Sequence, residues 1–279
     1  MKIGVTGASG LVGHPLAAGL LARGHEVVSL GRRPPTGLRT EHRPYTLDAP
    51  PPDLAGLDAL VHAAFSHVPG RYRGGEGDDP EGFRRLNEIG TLRLFEAAGR
   101  AGLGRVVFLS SRAVYGDYPP GTALSEDLPP RPDTLYGEVK WRVEGALAAL
   151  PLTGVSLRAT GVYGPPPPGA RHKWADLFDR FARGEEIAPR AGTEVHADDL
   201  AEAVHLVLTT GASGPYNVSD LRLDRRDLLA LYAETHGLDR PLPPRAGVEV
   251  SEMRTDRLRA LGWSPRGWEG LREVVATLP

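Results

Sequence analysis

A chain of 279 residues, 41% hydrophobic, with a net charge of −2, suits one large domain or a domain with a small appendage. It contains no cysteine, which excludes disulfides, thiolate metal sites and a thiol nucleophile. No basic stripe points to nucleic acid, no apolar run approaches the roughly 18 residues of a membrane span, and glycines interrupt the apolar N-terminus too early for a signal peptide, so a cytoplasmic protein is expected.

In chain order, "KIGVTG" (2–7) predicts a strand ending in glycine, "LVGHPLAAGLLARG" (11–24) a helix stopped at Gly24, and "HEVVSL" (25–30) a second strand. A third strand is placed at "YTLD", which ends in Asp48, and a fourth at "DALVHAA" (58–64). "RGGEGDDPEG" (73–82) reads as a flexible polar loop with helix-capping acids, and "GFRRLNEIGTLRLFEAAGRAG" (82–102) as one long helix. "RVVFLSS" (105–111) is a strand, "YGEVKWRVEGALAAL" (136–150) a helix and "VSLRAT" (155–160) a strand. Apolar strands alternating with helices argue for a parallel sheet covered on both faces.

The prolines of "YGPPPPG" (163–169) break this rhythm. The expectation is an α/β protein: a Rossmann-type doubly wound parallel sheet over 1–164, and a small C-terminal substrate-binding region over 165–279. Residues 194–220 are expected to return to the first unit, with "EVHADDLAEAVHLVL" (194–208) as a strand end and helix of the main domain. "RHKWADLFDRFARG" (171–184) predicts an amphipathic helix, ahead of which Arg171, His172 and Lys173 could meet a substrate phosphate.

The first strand runs into "TGASGLVG", with Gly7, Gly10 and Gly13 ahead of a helix. Gly7 permits the tight turn, Gly10 lets the backbone approach a pyrophosphate, and Gly13 lets helix and strand pack closely. The turn, with Ser9, Leu11 and Val12, supplies unpaired N–H groups at the positive end of the helix. A carboxylate that would bond a ribose 2′-OH is missing at the end of the second strand, where Gly31, Arg32 and Arg33 stand. Two guanidinium groups suit a 2′-phosphate, so NADP is the expected cofactor and NAD the alternative; Asp48 could meet the adenine amino group.

The chain has 33 basic residues but only three lysines, Lys2, Lys140 and Lys173. Lys140 lies four residues after Tyr136, on one helical face. A phenol titrates near pH 10, and an ammonium held close favours the phenolate. Tyr115 and Tyr163 precede glycines too, but neither has a lysine four residues on.

With its glycine motif, Tyr–Lys pair and strand order, the chain resembles the extended short-chain dehydrogenase/reductase family, the branch of nucleotide-sugar epimerases, dehydratases and reductases. "VHAA" (61–64) resembles the family's fourth-strand motif, which implies that His62, Ala63 and Ala64 lie beside the cofactor. "NEIGTLRLFEAA" (87–98) resembles its Asn-x-x-Gly-Thr helix and implies a structural and proton-relay role for Asn87. "LSSRAVYG" (109–116) resembles its Ser-x-x-Val-Tyr-Gly stretch and implies that Ser111 holds the catalytic hydroxyl position. "LRATGVYGP" (157–165), "VHADDLAEAV" (195–204) and "GPYNVSD" (214–220) resemble later landmarks.

The resemblance implies that Tyr136 moves the proton, Ser111 positions the oxygen, and Lys140 tunes Tyr136 and holds the nicotinamide ribose. It implies a homodimer built on the helices at 82–102 and 136–150, where Leu92, Val143 and Leu147 stand outside a single apolar stripe. The dehydratases of this branch carry an Asp-Glu pair after the catalytic hydroxyl; Arg112 and Ala113 stand here, which argues against dehydration. The expected function is hydride transfer at a carbinol or carbonyl carbon of a sugar, a nucleotide sugar or a similar small substrate, as an epimerase or a reductase. The rival is a non-catalytic NADP-sensing regulator. A hydrolase would need a Gly-x-Ser-x-Gly elbow, and a metal site a His/Asp/Glu spacing, neither of which the sequence contains.

Overall fold

The computed structural model describes residues 1–68, 71 and 74–278. Seven strands form its main sheet: β1 (Lys2–Thr6), β2 (Glu26–Gly31), β3 (Glu41–Pro44), β4 (Ala59–His62), β5 (Arg105–Ser111), β6 (Thr153–Ala159) and β9 (Gly214–Val218). Their spatial order is β3–β2–β1–β4–β5–β6–β9, and every neighbouring pair is parallel. The order reverses between β1 and β4, and the crevice at their carboxyl ends is where such a sheet takes its ligand.

The inner strands are apolar on both sides because both sides are covered, whereas the edge strand β3 is polar. Val107 and Leu157 face α1 (Gly13–Ala22) and α6 (Ala197–Thr209), where Leu16, Leu20, Val204 and Val207 close one core. Val106 and Phe108 point the other way, onto α3 (Gly90–Arg100) and α4 (Leu135–Ala149), where Leu94, Phe95, Val139, Val143 and Leu147 close the second.

A smaller sheet joins β7 (Gly161–Tyr163), β8 (Ala191–His196) and β10 (Leu221–Asp224), with β8 central, parallel to β7 and antiparallel to β10. α5 (Ala175–Ala182), α7 (Arg225–His236) and α9 (Gly267–Thr277) pack with it around Tyr163, Trp174, Phe178, Tyr232 and Leu271. A short helix, α8 (Asp256–Arg259), precedes the buried Trp263.

Several expected elements fall elsewhere. The third strand is Glu41–Pro44, and "YTLD" lies in the turn beyond it, because β3 pairs with only the last part of β2. The single helix over 82–102 is instead α2 (Pro80–Arg84), a π-helical turn (Arg85–Ile89) and α3, begun by Pro80 under an Asp79 cap that accepts the Gly82 N–H. Turns fill 74–78 of the polar loop, and Arg73 lies outside the described residues. β8 joins the small sheet, whereas α6 and β9 lie on the large one. α5 begins only at Ala175, after the basic trio. Val143 and Leu147 are buried against the sheet, so neither offers a dimer surface.

Candidate active site

The turn between β1 and α1 is shaped by close backbone approaches. Gly7 has φ +70°, and a Cβ there would lie 2.9 Å from the backbone N and Cα of Ala64. The Gly10 N–H donates to the Gly7 carbonyl at 2.9 Å, and a Cβ on Gly13 would collide with that same carbonyl. α1 has no side-chain cap and no acid in its first turn, so neither a cap nor a first-turn carboxylate offsets its positive end. Ser9 and Leu11 are exposed around that bare terminus, with Val12 as its cap residue. A dinucleotide pyrophosphate fits this cradle.

Behind the cradle runs a closed hydrogen-bond chain. The Thr6 hydroxyl accepts the N–H groups of Ala63 and Ala64, each at 3.1 Å, and lies 2.8 Å from His62 Nδ1. His62 Nε2 lies 3.0 Å from the Thr91 hydroxyl, which donates to the Asn87 carbonyl at 2.7 Å. Donors and acceptors balance when Thr6 donates to Nδ1 and a neutral imidazole donates from Nε2. Burial pushes the His62 pKa down to about 3, which keeps the ring neutral. His62 therefore braces the ends of β1 and β4. Among the described residues no cluster of three metal-binding side chains occurs.

Arg32 and Arg33 follow β2 and are exposed, with no ion pair to either among the described residues. Asp48 is exposed in the turn after β3; the Thr46 hydroxyl, then its own backbone N–H, hold its carboxyl below the usual range. These three lie at the β2–β3 side of the cradle, away from β5.

The reactive end is built where α4 meets β5. Ser111 ends β5 and its Oγ accepts the Ala113 N–H at 3.1 Å, which leaves its proton to donate elsewhere. Thr134 caps α4 by accepting the Gly137 N–H at 3.1 Å. A Cβ on Gly137 would strike the Ala113 carbonyl, so glycine seats the first turn of α4 directly on the turn after Ser111. That contact brings Tyr136 to Ser111's end of the sheet. The Tyr136 ring meets Phe65 edge-on at 5.0 Å.

Lys140, one turn further, is buried and donates from Nζ to the Leu109 carbonyl at 2.7 Å. Its ammonium sits 4.3 Å from the Phe65 ring, 4.6 Å from Phe108 and 5.8 Å from Tyr136. Burial lowers its pKa to about 7, against the pull of Glu144.

Asn87 lies in the π-helical turn, a frequent device at functional sites. Its Nδ2 donates to the carbonyls of Ser66 and Phe83 at 2.7 and 3.0 Å, and its Oδ1 accepts the Ser66 N–H at 2.6 Å. The amide thus pins the segment after β4.

One buried network joins residues from four of the quoted segments, to which the sequence patterns assign no shared role. Glu144 meets Arg158 at 2.8 Å and accepts from the Ser110 hydroxyl; Arg158 also donates to the Tyr115 hydroxyl at 3.0 Å, which donates to Asn217 Oδ1 at 2.7 Å. The signal that could have found it is the spacing Tyr136, Lys140, Glu144, which puts all three on one helical face. His196, by contrast, caps α6 by accepting the Asp198 N–H at 3.1 Å.

A bare helix terminus at the reversal of strand order, with a Tyr–Lys pair beside a strand-end serine, defines a dinucleotide-binding protein of the short-chain dehydrogenase type. The chain belongs to the NAD dependent epimerase/dehydratase family, whose sequence model matches residues 3–219. It is 31% identical to a dTDP-6-deoxy-L-talose 4-dehydrogenase (NAD(P)(+)) of Kitasatospora kifunensis, across 99% of this chain and 94% of that one. It is 32% identical to a 3-diazoavenalumate denitrifying reductase of a Streptomyces species, across 95% and 96%. The structure of a Thermus thermophilus UDP-glucose 4-epimerase complexed with NAD superposes with a TM-score of 0.78 at 29% identity, covering 99% of this chain and 98% of that one. The chain is an NAD(P)-dependent enzyme of the extended short-chain dehydrogenase type. No helix among the described residues is long and apolar enough to cross a membrane.

Proposed function

We propose that this enzyme moves hydride at a carbinol or carbonyl carbon of a sugar or nucleotide sugar, with NADP(H) preferred, as a cytoplasmic homodimer. The observation that carries the chemistry is the seat of α4 on the turn after Ser111, which gathers Ser111, Tyr136 and Lys140 at one strand end. The sugar assignment leans on relatives that are a dTDP-sugar dehydrogenase and a UDP-glucose epimerase. A regulatory role finds no support among them.

The bound nicotinamide would supply or accept the hydride. Ser111, whose hydroxyl accepts the Ala113 N–H and has no acceptor for its proton among the described residues, orients the substrate oxygen. Tyr136 takes that oxygen's proton on oxidation and returns it on reduction. Lys140 donates one ammonium proton to the Leu109 carbonyl; a second would bond the nicotinamide ribose, and the positive charge favours the phenolate. Asn87 acts by holding the segment at Ser66 in place. Arg112, fixed by a 3.0 Å bond to the Ser251 carbonyl, and Ala113 offer no acid and base for eliminating water.

For the cofactor, Arg32 and Arg33 favour a 2′-phosphate at the end of β2, and no carboxylate stands there to repel it. The test is to incubate purified protein with UDP-glucose and UDP-galactose, and to measure both their interconversion and any nicotinamide absorbance change. Interconversion without added cofactor identifies an epimerase that retains its dinucleotide; stoichiometric NADPH consumption on a 4-keto sugar identifies a reductase. Inactivity on all these sugars, in protein that binds the dinucleotide, would overturn the sugar assignment.

A further inference from the structure

Two of the three lysines have evident duties, Lys2 in a surface pair with Glu41 and Lys140 at the active site. The third sits in the basic trio before α5, and the structure separates that trio. Arg171 pairs with Asp176 and Asp179 on the surface, at 2.6 Å each. His172 turns inward, where its Nδ1 accepts the Trp174 N–H and burial pushes its pKa down to about 4. Lys173 reaches Glu194, its Nζ 2.5 Å from Oε2.

The pair stands beyond the reactive end of the sheet. Ala159, the last residue of β6, is the register partner of Ser111. After Thr160 the chain becomes β7, and Gly161 is the register partner of Glu194. Gly161 is therefore two residues beyond the Ser111 row along the chain, where it passes from the large sheet to the small one. A Cβ at Gly161 would lie 2.5, 2.8 and 2.9 Å from the Oε2, Cδ and Oε1 atoms of Glu194. Glycine thus leaves the space that the carboxylate fills, and the acid lies against β7, the strand that follows β6 along the chain.

The pair is partly shielded from solvent, and it joins the segment before α5 to β8. Its bonding capacity is incomplete. Among the described residues only Glu194 bonds the Lys173 ammonium, and Glu194 Oε1 has no protein partner. The side chains of Lys173 and Glu194 keep 23% and 17% of their exposure, so neither is sealed from solvent. Lys173 is steadied from below by Trp174, whose ring stacks on Tyr163 at 5.4 Å.

We propose that Glu194 and Lys173 form a specificity contact that grips adjacent hydroxyl groups on the neutral hexose part of the substrate. The inference rests on the sugar reading above. A carboxylate that accepts and an ammonium that donates complement a vicinal diol, whose hydroxyls do both. Phosphate fits worse, because Glu194 already neutralises Lys173 and would face the anion.

The test uses the full chain saturated with NADPH, as wild type, Glu194→Gln and Lys173→Met. Calorimetric titration with UDP-glucose and with UDP separates the sugar from the nucleotide. UDP-glucose should weaken by about tenfold or more in each variant, while UDP and NADPH bind as in wild type. Equal weakening of UDP and UDP-glucose would make the pair a phosphate contact and overturn the proposal. Unchanged affinities with a lowered Tm would make it a structural tie and overturn it too. Should wild type bind neither nucleotide, the nucleotide part of the proposed function fails. The variants are then compared in NADP-dependent oxidation of free D-glucose and D-galactose, where a raised KM supports the pair. An unchanged KM, or no sugar turnover by wild type, overturns it.

Discussion

Lys140 donates a 2.7 Å hydrogen bond to the carbonyl of Leu109, two residues before Ser111 on β5. The helix that carries Tyr136 is thereby anchored to the strand that carries the serine. The anchor is a cation buried among the rings of Phe65 and Phe108, which compensate its lost hydration in part. The geometry exposes each component to a separate test.

Replacing Tyr136 by Phe keeps the ring against Phe65 and removes the hydroxyl proposed to transfer the proton. Turnover should fall by about 10²- to 10⁴-fold. Dinucleotide affinity, measured by calorimetry, should stay near wild type. A variant with full activity would remove Tyr136 from the chemistry.

Lys140 should leave a signature in stability against pH. Its pKa in the folded state is about 7, below the ordinary 10.5. Between those values the unfolded chain binds the proton and the folded chain does not, so stability contributed at this site rises as pH rises from 7 to 10.5 and is lowest below 7. Urea unfolding of the cofactor-free protein should show that rise, and Lys140→Met should flatten it. Parallel curves for the two proteins across this window would contradict the assignment.

The arginines after β2 predict a cofactor preference. A charge-assisted contact contributes about 1.5–3 kcal/mol, or roughly ten- to a hundredfold in affinity. Arg32→Ala combined with Arg33→Ala should weaken NADPH by that order and leave NADH nearly unchanged. Equal NADH and NADPH affinities in the wild type would show both arginines to be solvated surface only.

The homodimer proposal rests on different residues from those the sequence pattern singles out. Ile89 and Trp141 are 45% and 44% exposed on the π-helical turn and on α4, beside the ion-paired side chains of Arg84, Glu88, Glu138 and Arg142. Light scattering at micromolar concentration should give a dimer mass, and Trp141→Glu a monomer. A monomeric wild type would refute the interface.

Signals carried by residues close along the chain are legible in the sequence. The glycine turn can be read because φ above zero at Gly7 and the crowding at Gly13 each demand glycine locally. Tyr136 and Lys140 can be paired because four residues make about one helical turn, and the β–α alternation because buried parallel strands are continuously apolar. "YTLD" reads as a strand by composition but is not one, because β2, its neighbour, ends at Gly31, which already pairs with Pro44.

By itself, then, the sequence determined the β–α alternation, the glycine turn and the Tyr–Lys spacing, since turn chemistry and helical period act within a few residues. The tertiary structure decided which faces of distant segments meet. α4 is apolar on several sides, and only its seat on Ala113 rotates Val143 and Leu147 onto the sheet and leaves Trp141 outside. Glu144 could find Arg158, and Lys173 could find Glu194, only once helix and strand had packed. Ion pairs of that kind have no period along the chain; their partners are chosen by packing, which brings together residues far apart in sequence.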